Sequence, residues 1–196
     1  MVTSNKDLMK QARESLSGRW GLAVGAFFVY FLILVAVSLV PILGSIVTLL
    51  IGGALALGIA TFWLTIARNE DAKLEMIFSG FSNFGKALGL YLLRAIFILL
   101  WMLLLIIPGI IASISYALAF FLMSDDPNIG VMEAIDKSKK MMYGYKWKYF
   151  CLNLRFLGWI LLAILSLGIG LLWVVPYIQV SFAKFYDDVK ANFVEG

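Results

Sequence analysis

The sequence predicts an all-α integral membrane protein of six transmembrane helices, arranged as three helical hairpins. Each hairpin is preceded by an amphipathic or interfacial helix. Two features of composition and one of pattern lead there. Apolar residues make up 62% of the 196-residue chain and charged residues only 14%, where a soluble surface needs about 25%. The mean hydropathy is +0.94. Apolar runs long enough to cross a bilayer recur three times, and all but two of the basic residues fall in the segments between them.

The first uncharged run, residues 21–67, holds 47 residues, too many for one crossing of about 20. Pro41 and Gly44 divide it into spans at 21–40 and 45–67. The second runs from Lys86 to Ser124, interrupted only by Arg94, and Pro108-Gly109 divides it. A proline suits the first turn of the helix that follows. The third runs from Trp147 to Ala183, interrupted past Lys148 only by Arg155, with its turn at residues 168–170. The helices at 108–123 and 170–185 are short, starting deep in the bilayer or thinning it locally.

The polar introductions carry helical stripes. Leu8, Ala12 and Leu16 follow a cap at Ser4 or Asn5. Leu74, Ile77, Phe78 and Phe81 form a second stripe. Val131, Ala134, Ile135, Ser138 and Met142 form a third, opposite Glu133, Asp136, Lys137, Lys139 and Lys140. Such helices lie in the headgroup plane. The introductions end alike, in Gly18-Arg19-Trp20, Asn83-Phe84-Gly85-Lys86 and Gly144-Tyr145-Lys146-Trp147. The hairpins also close alike, in Asn69-Glu70-Asp71, Asp125-Asp126 and Asp187-Asp188. One membrane domain over 1–196, built of three diverged repeats at 1–69, 70–127 and 128–196, accounts for this pattern.

Fourteen of the sixteen Lys and Arg residues fall in segments that share one side of the membrane. The three tight turns hold no charge. The positive-inside rule then places both termini and both long connections of this multi-pass chain in the cytoplasm. Trp20, Trp63, Trp147 and Tyr186 serve as interfacial anchors.

Several function classes drop out. The chain has no histidine, which removes Ser-His-Asp and Cys-His catalysis, histidine metal sites and histidine proton relays. Cys151 is the single cysteine, so no intrachain disulfide forms. No P-loop, dinucleotide fingerprint or zinc motif occurs, and no cofactor or metal is expected. The N-terminal twenty residues are too polar for a cleaved signal peptide, so the first spanning helix is the expected targeting element. A net charge of +4 fits anionic headgroups beside juxtamembrane Lys and Arg. Nucleic acid is not an expected partner, because no dense basic face or stacking platform accompanies the charge.

Arg94 and Arg155 stand out as the two basic residues inside spans. They lie ten residues past Phe84 and eight past Trp147, roughly 12–15 Å along the helix axis. Three roles are open to them: snorkelling to the headgroups, binding a lipid phosphate or other anion, and lining a permeation path. The acidic residues Glu70, Asp71, Asp125, Asp126, Asp187 and Asp188 form a candidate cytoplasmic cluster. Acids at helix C-termini oppose the helix dipole, so three accounts are open: pairing with Arg19, Lys86, Lys146 and Lys148, gathering a hard cation, or plain solvation. Gly52, Ala56 and Ala60, and Gly21 with Gly25, present small-residue faces for close helix packing. Asn153, Tyr177, Gln179 and Ser181 read as scattered interhelical hydrogen bonds.

A family resemblance rests on Phe78-Ser79-Gly80-Phe81 before Phe84-Gly85-Lys86, Ile107-Pro108-Gly109-Ile110-Ile111, and Glu133-Ala134-Ile135-x-x-Ser138 before Gly144-Tyr145-Lys146-Trp147. It continues through residues 168–173, Pro176-Tyr177 and Phe185-Tyr186. Over nearly its whole length the chain resembles a bacterial family of polytopic inner-membrane proteins classified as a domain of unknown function. The Glu-Ala-Ile-x-x-Ser element is also similar to one in the membrane domain of some glycerophosphodiester phosphodiesterases, whose soluble catalytic domain is missing here. The resemblance implies the membrane class and adds no catalytic residue. The expected function is non-enzymatic: binding membrane lipids, anionic ones included, or supporting a protein partner or a second copy. The alternative is a small transporter or channel with a path near Arg94 and Arg155.

Overall fold

The computed structural model describes residues 3–40 and 43–193, which are helical with no strand among them. Helix α1 (Asn5–Leu16) begins at Ser4, whose hydroxyl oxygen accepts from the Asp7 amide at 3.2 Å. This satisfies one of the orphan donors of the first turn. The helix turns Leu8, Ala12, Ser15 and Leu16 inward.

Three antiparallel pairs follow. Helices α2 (Trp20–Ser38) and α3 (Leu43–Ala67) form the first. The break expected at Pro41 lies outside the described residues. A 3-10 stretch, Leu74–Asn83, leads into α4 (Phe84–Leu104), which folds back on α5 (Ile106–Ser115) through the single extended residue Leu105. Pro108 sits in the first turn of α5, where the missing amide costs no helical bond. The expected helix at 108–123 is interrupted at residues 116–118 and resumes as α6 (Ala119–Asp125). Amphipathic α7 (Val131–Met141) precedes the third pair, α8 (Lys146–Leu165) and α9 (Leu171–Ala191).

The interruption before α6 is held by α7. The Ser138 hydroxyl accepts from the Leu118 amide at 3.2 Å and donates to the Ser115 carbonyl at 2.8 Å. Both are backbone groups that an unbroken helix would have paired internally. At the start of α7, the Glu133 carboxylate accepts from the Gly130 amide at 3.3 Å. The Glu-Ala-Ile-x-x-Ser element therefore caps one helix and closes the gap in another.

Helix α3 occupies the centre, touching α1, α2, α4, α6, α9 and the 3-10 stretch. Its closest neighbour approaches at Gly58 and Gly80. A Cβ on Gly58 would lie 1.9 Å from the Ile77 carbonyl oxygen, and one on Gly80 2.0 Å from that of Ala54. The tightest crossing thus lies off the small-residue faces expected from spacing, of which Gly52 alone packs closely, a Cβ there lying 3.3 Å from the Tyr91 ring. Gly21 and Gly25 meet nothing within 4 Å, and Ala56 and Ala60 line a cavity.

Among the described residues, five segments are long and apolar enough to cross a membrane: Trp20–Ser38, Ile46–Ala67, Leu74–Leu104, Ile106–Asp125 and Lys146–Leu165. The sixth expected span, in α9, does not meet that standard. Lys184, Asp187, Asp188 and Lys190 occupy its last two turns. Its uncharged part, residues 171–183, measures only about 20 Å. The outer surface and the far tips are aliphatic, with Leu103 75%, Leu165 80% and Leu167 94% exposed. An apolar surface that extensive is foreign to a soluble monomer and suited to lipid. Among the described residues, the buried polar side chains are four serines. Each of them donates to a backbone carbonyl.

Candidate functional site

The charged end of the bundle is tied by Arg68, one residue past α3. Its guanidinium donates to both Asp125 oxygens at 2.7 and 3.0 Å, and to Asp187 Oδ1 at 2.8 Å. Lys190 and the Tyr186 hydroxyl also donate to Asp125, the latter at 2.7 Å. Arg68 therefore joins the last turn of α3 to those of α6 and α9. Its bonds to Asp125 hold the guanidinium above its ordinary pKa, against the pull of burial. A planar guanidinium can bridge two carboxylates in this way and an ammonium cannot.

Asp188 belongs to a separate cluster. It accepts from Lys148 at 2.7 Å and from the amide and hydroxyl of Thr3 at 3.0 and 2.6 Å. Burial raises its carboxyl, but the Lys148 and Thr3 bonds outweigh that and hold it below the ordinary 3.8. The Asn5 amide donates to the Lys148 carbonyl at 2.9 Å, completing the attachment of α1 to the third hairpin. The other acids do not join either group. Asp126 caps the turn at Asn128. Asp71 lies 3.9 Å from Lys73 with both side chains exposed. The Glu70 side chain is exposed, while its carbonyl accepts from Arg19 at 2.6 Å. Of the six acidic candidates, only Asp125 and Asp187 share a partner.

The two arginines within spans have different surroundings. Arg155 is exposed on α8, between Leu154 on the surface and buried Phe156. Arg94 lines a cavity of about 460 Å³ at the meeting of all three hairpins. Tyr30 of α2, Trp63 of α3, Tyr91 of α4, Tyr149 of α8 and Gln179 of α9 share that cavity. The Arg94 guanidinium lies 5.7 Å from the centre of the Phe120 ring, within reach of a cation–π attraction. No carboxylate among the described residues is within ion-pair distance of it. Arg155 is not part of this lining.

The cavity thus offers one guanidinium, three phenols and an amide, facing an apolar wall. That set can recognise a phosphate or carboxylate by charge and hydrogen bonding. It lacks the nucleophile–base pair that covalent catalysis requires. Sequence reading singled out Arg94 but missed Arg68 and the tyrosines. Arg68 ends the longest uncharged run directly, and acidic pairs were expected at the same level. Tyr30, Tyr91 and Tyr149 are hydroxyl-bearing residues inside apolar spans, but helical spacing alone does not aim them at one point.

Fold and site together define an all-helical protein with five described segments long and apolar enough to span a bilayer, and a cavity between hairpins that carries Arg94. The chain belongs to the family described as protein of unknown function (DUF975). The family's profile matches residues 1–120 and again residues 102–193. No curated protein and no solved structure matches the chain.

Proposed function

We propose that this is a non-enzymatic integral membrane protein of the bacterial cytoplasmic membrane that holds an anionic lipid headgroup on Arg94. In this reading three hairpins enter from the cytoplasm, both termini remain there, and α9 completes the third hairpin with its charged turns at the headgroups. The observation that carries the reading is the Arg94 guanidinium, placed in a shared cavity without a protein counter-ion. A charge withdrawn from water and left unpaired costs several kcal/mol. A phosphate would supply the missing charge and accept several charge-assisted hydrogen bonds.

A small transporter or channel is the second reading. Its support is the cavity itself, but a path shared by Arg94 and Arg155 needs both to line it, and Arg155 faces outward. A thermal-unfolding experiment in detergent separates the cases. Ligand that binds only the folded state raises the midpoint. Phosphatidylglycerol should raise it for the wild type and not for Arg94→Ala, while phosphatidylcholine leaves both unchanged. An equal rise in the wild type and Arg94→Ala would remove the headgroup reading.

A further inference from the structure

A second opening adjoins the Arg94 cavity. Between α5 and α8 lies a cleft of about 320 Å³, lined by Ile110, Ser113 and Ile114 on one wall and Phe150 and Asn153 on the other. Arg94, Ala117 and Tyr149 line both this cleft and the central cavity, so these three side chains form the wall between them. Ile110, Phe150 and Asn153 are exposed on the outer surface of the bundle. The cleft therefore faces the bilayer.

From these positions we infer that the anion on Arg94 belongs to a lipid of the surrounding leaflet, which enters sideways between α5 and α8. The inference rests on the headgroup reading above and adds its route and ligand class: a phospholipid with an anionic headgroup, whose chains stay outside among Ile110, Ile114 and Phe150. Three observations converge. First, depth is right. Tyr149 is three residues past Lys146 at the start of α8, about 4.5 Å along the axis. Because the Arg94 side chain shares a wall with Tyr149, its guanidinium is drawn towards the charged end rather than the bilayer centre. A long arginine side chain makes this reach readily.

Second, the cleft is polar where a headgroup must pass. Ser113 and Asn153 stand on its opposite walls, amid aliphatic and aromatic side chains. Their local bonds, to the Ile110 carbonyl at 2.8 Å and the Tyr149 carbonyl at 2.8 Å, leave one Asn153 N–H to donate to a phosphate and the two oxygens to accept from headgroup hydroxyls. Third, the shared wall is thin where the backbone is broken. Ala117 lies in the interruption between α5 and α6, and contributes only a methyl group. The remaining barrier is two side chains, Arg94 and Tyr149.

The test uses the full chain in nanodiscs of phosphatidylcholine with or without phosphatidylglycerol, followed by native mass spectrometry. The wild type should retain one phosphatidylglycerol per chain. Arg94→Ala should lower that retention about tenfold, as expected for losing a charge-assisted contact. Ser113→Trp, which fills the cleft and leaves Arg94 in place, should lower it similarly, and soluble glycerol 3-phosphate should not displace the lipid. Asn153→Trp obstructs the same cleft from α8 and serves where Ser113→Trp reduces the thermal midpoint. Full retention in a folded tryptophan variant overturns the lateral route but leaves the headgroup reading standing. Full retention in Arg94→Ala overturns both. Displacement by glycerol 3-phosphate overturns the lipid source in favour of an anion arriving from water.

Discussion

The hydroxyl of Ser138 accepts from one backbone group and donates to another across the interruption at residues 116–118. It is fully buried, so removing it strands the Leu118 amide and the Ser115 carbonyl away from water. A buried unsatisfied group costs about 1–3 kcal/mol. Ser138→Ala should therefore destabilise the protein by about 2–6 kcal/mol when both groups are counted, with faster amide exchange concentrated at residues 115–119. Unchanged exchange there would show that the serine does not hold the break. The sequence places Ser138 correctly on the apolar stripe of α7 with Ala134 and Ile135. It does not reveal the bonds, because their partners lie 20 and 23 residues away in a stretch without Gly or Pro to announce a break. Arg94 was legible as an isolated charge in a span. Tyr91, three residues before it on α4, shares its helical face, but Tyr30 and Tyr149 come from other hairpins and were not legible.

At the scale of elements, the crossing of α3 with Leu74–Asn83 depends on backbone approaching backbone. The oxygen that a Gly58 Cβ would meet belongs to Ile77, a main-chain atom that cannot swing aside. Gly58→Ala should cost at least about 1–3 kcal/mol, the usual scale for overpacking, and lower the thermal midpoint in detergent. Gly21→Ala, with open space around it, is the control and should leave the midpoint unchanged. Helix boundaries were largely readable, since Pro108, residues 168–170 and the aromatic–basic joints mark real ends. Two joints share a further feature: Gly18 and Gly144 have φ of +77° and +82°, a left-handed conformation that favours glycine. The close crossing was less readable. Spacing singles out Gly52, Ala56 and Ala60 on α3, whereas the tightest backbone approach falls on Gly58 of the same helix.

Across the whole molecule, two ionic groups join segments distant in sequence. Arg68 ties the ends of α3, α6 and α9, while Asp188 ties the N-terminal segment and α8 to α9. Because the folded Asp188 carboxyl titrates below its ordinary 3.8, its contribution is fully present above that pH and fades as pH falls through the lower, folded value. Acidification below about pH 4 should therefore loosen α1, seen as increasing cleavage in that helix by an acid-active protease. Asp188→Asn should flatten this dependence; an unchanged profile would assign the acid response to other carboxylates. The one-sided distribution of charge made this end of the bundle visible in sequence. Which acid meets which base is decided by helix rotation, and paired spacing says nothing of that. The opposite end has its own consequence. The tips at residues 39–40, 104–107 and 166–170 carry no charge, so carrying them into a polarised bilayer does no electrical work. A charged tip would feel about 2.3 kcal/mol per elementary charge per 100 mV. If the hairpins insert as proposed above, carrying their tips across should be indifferent to the membrane potential.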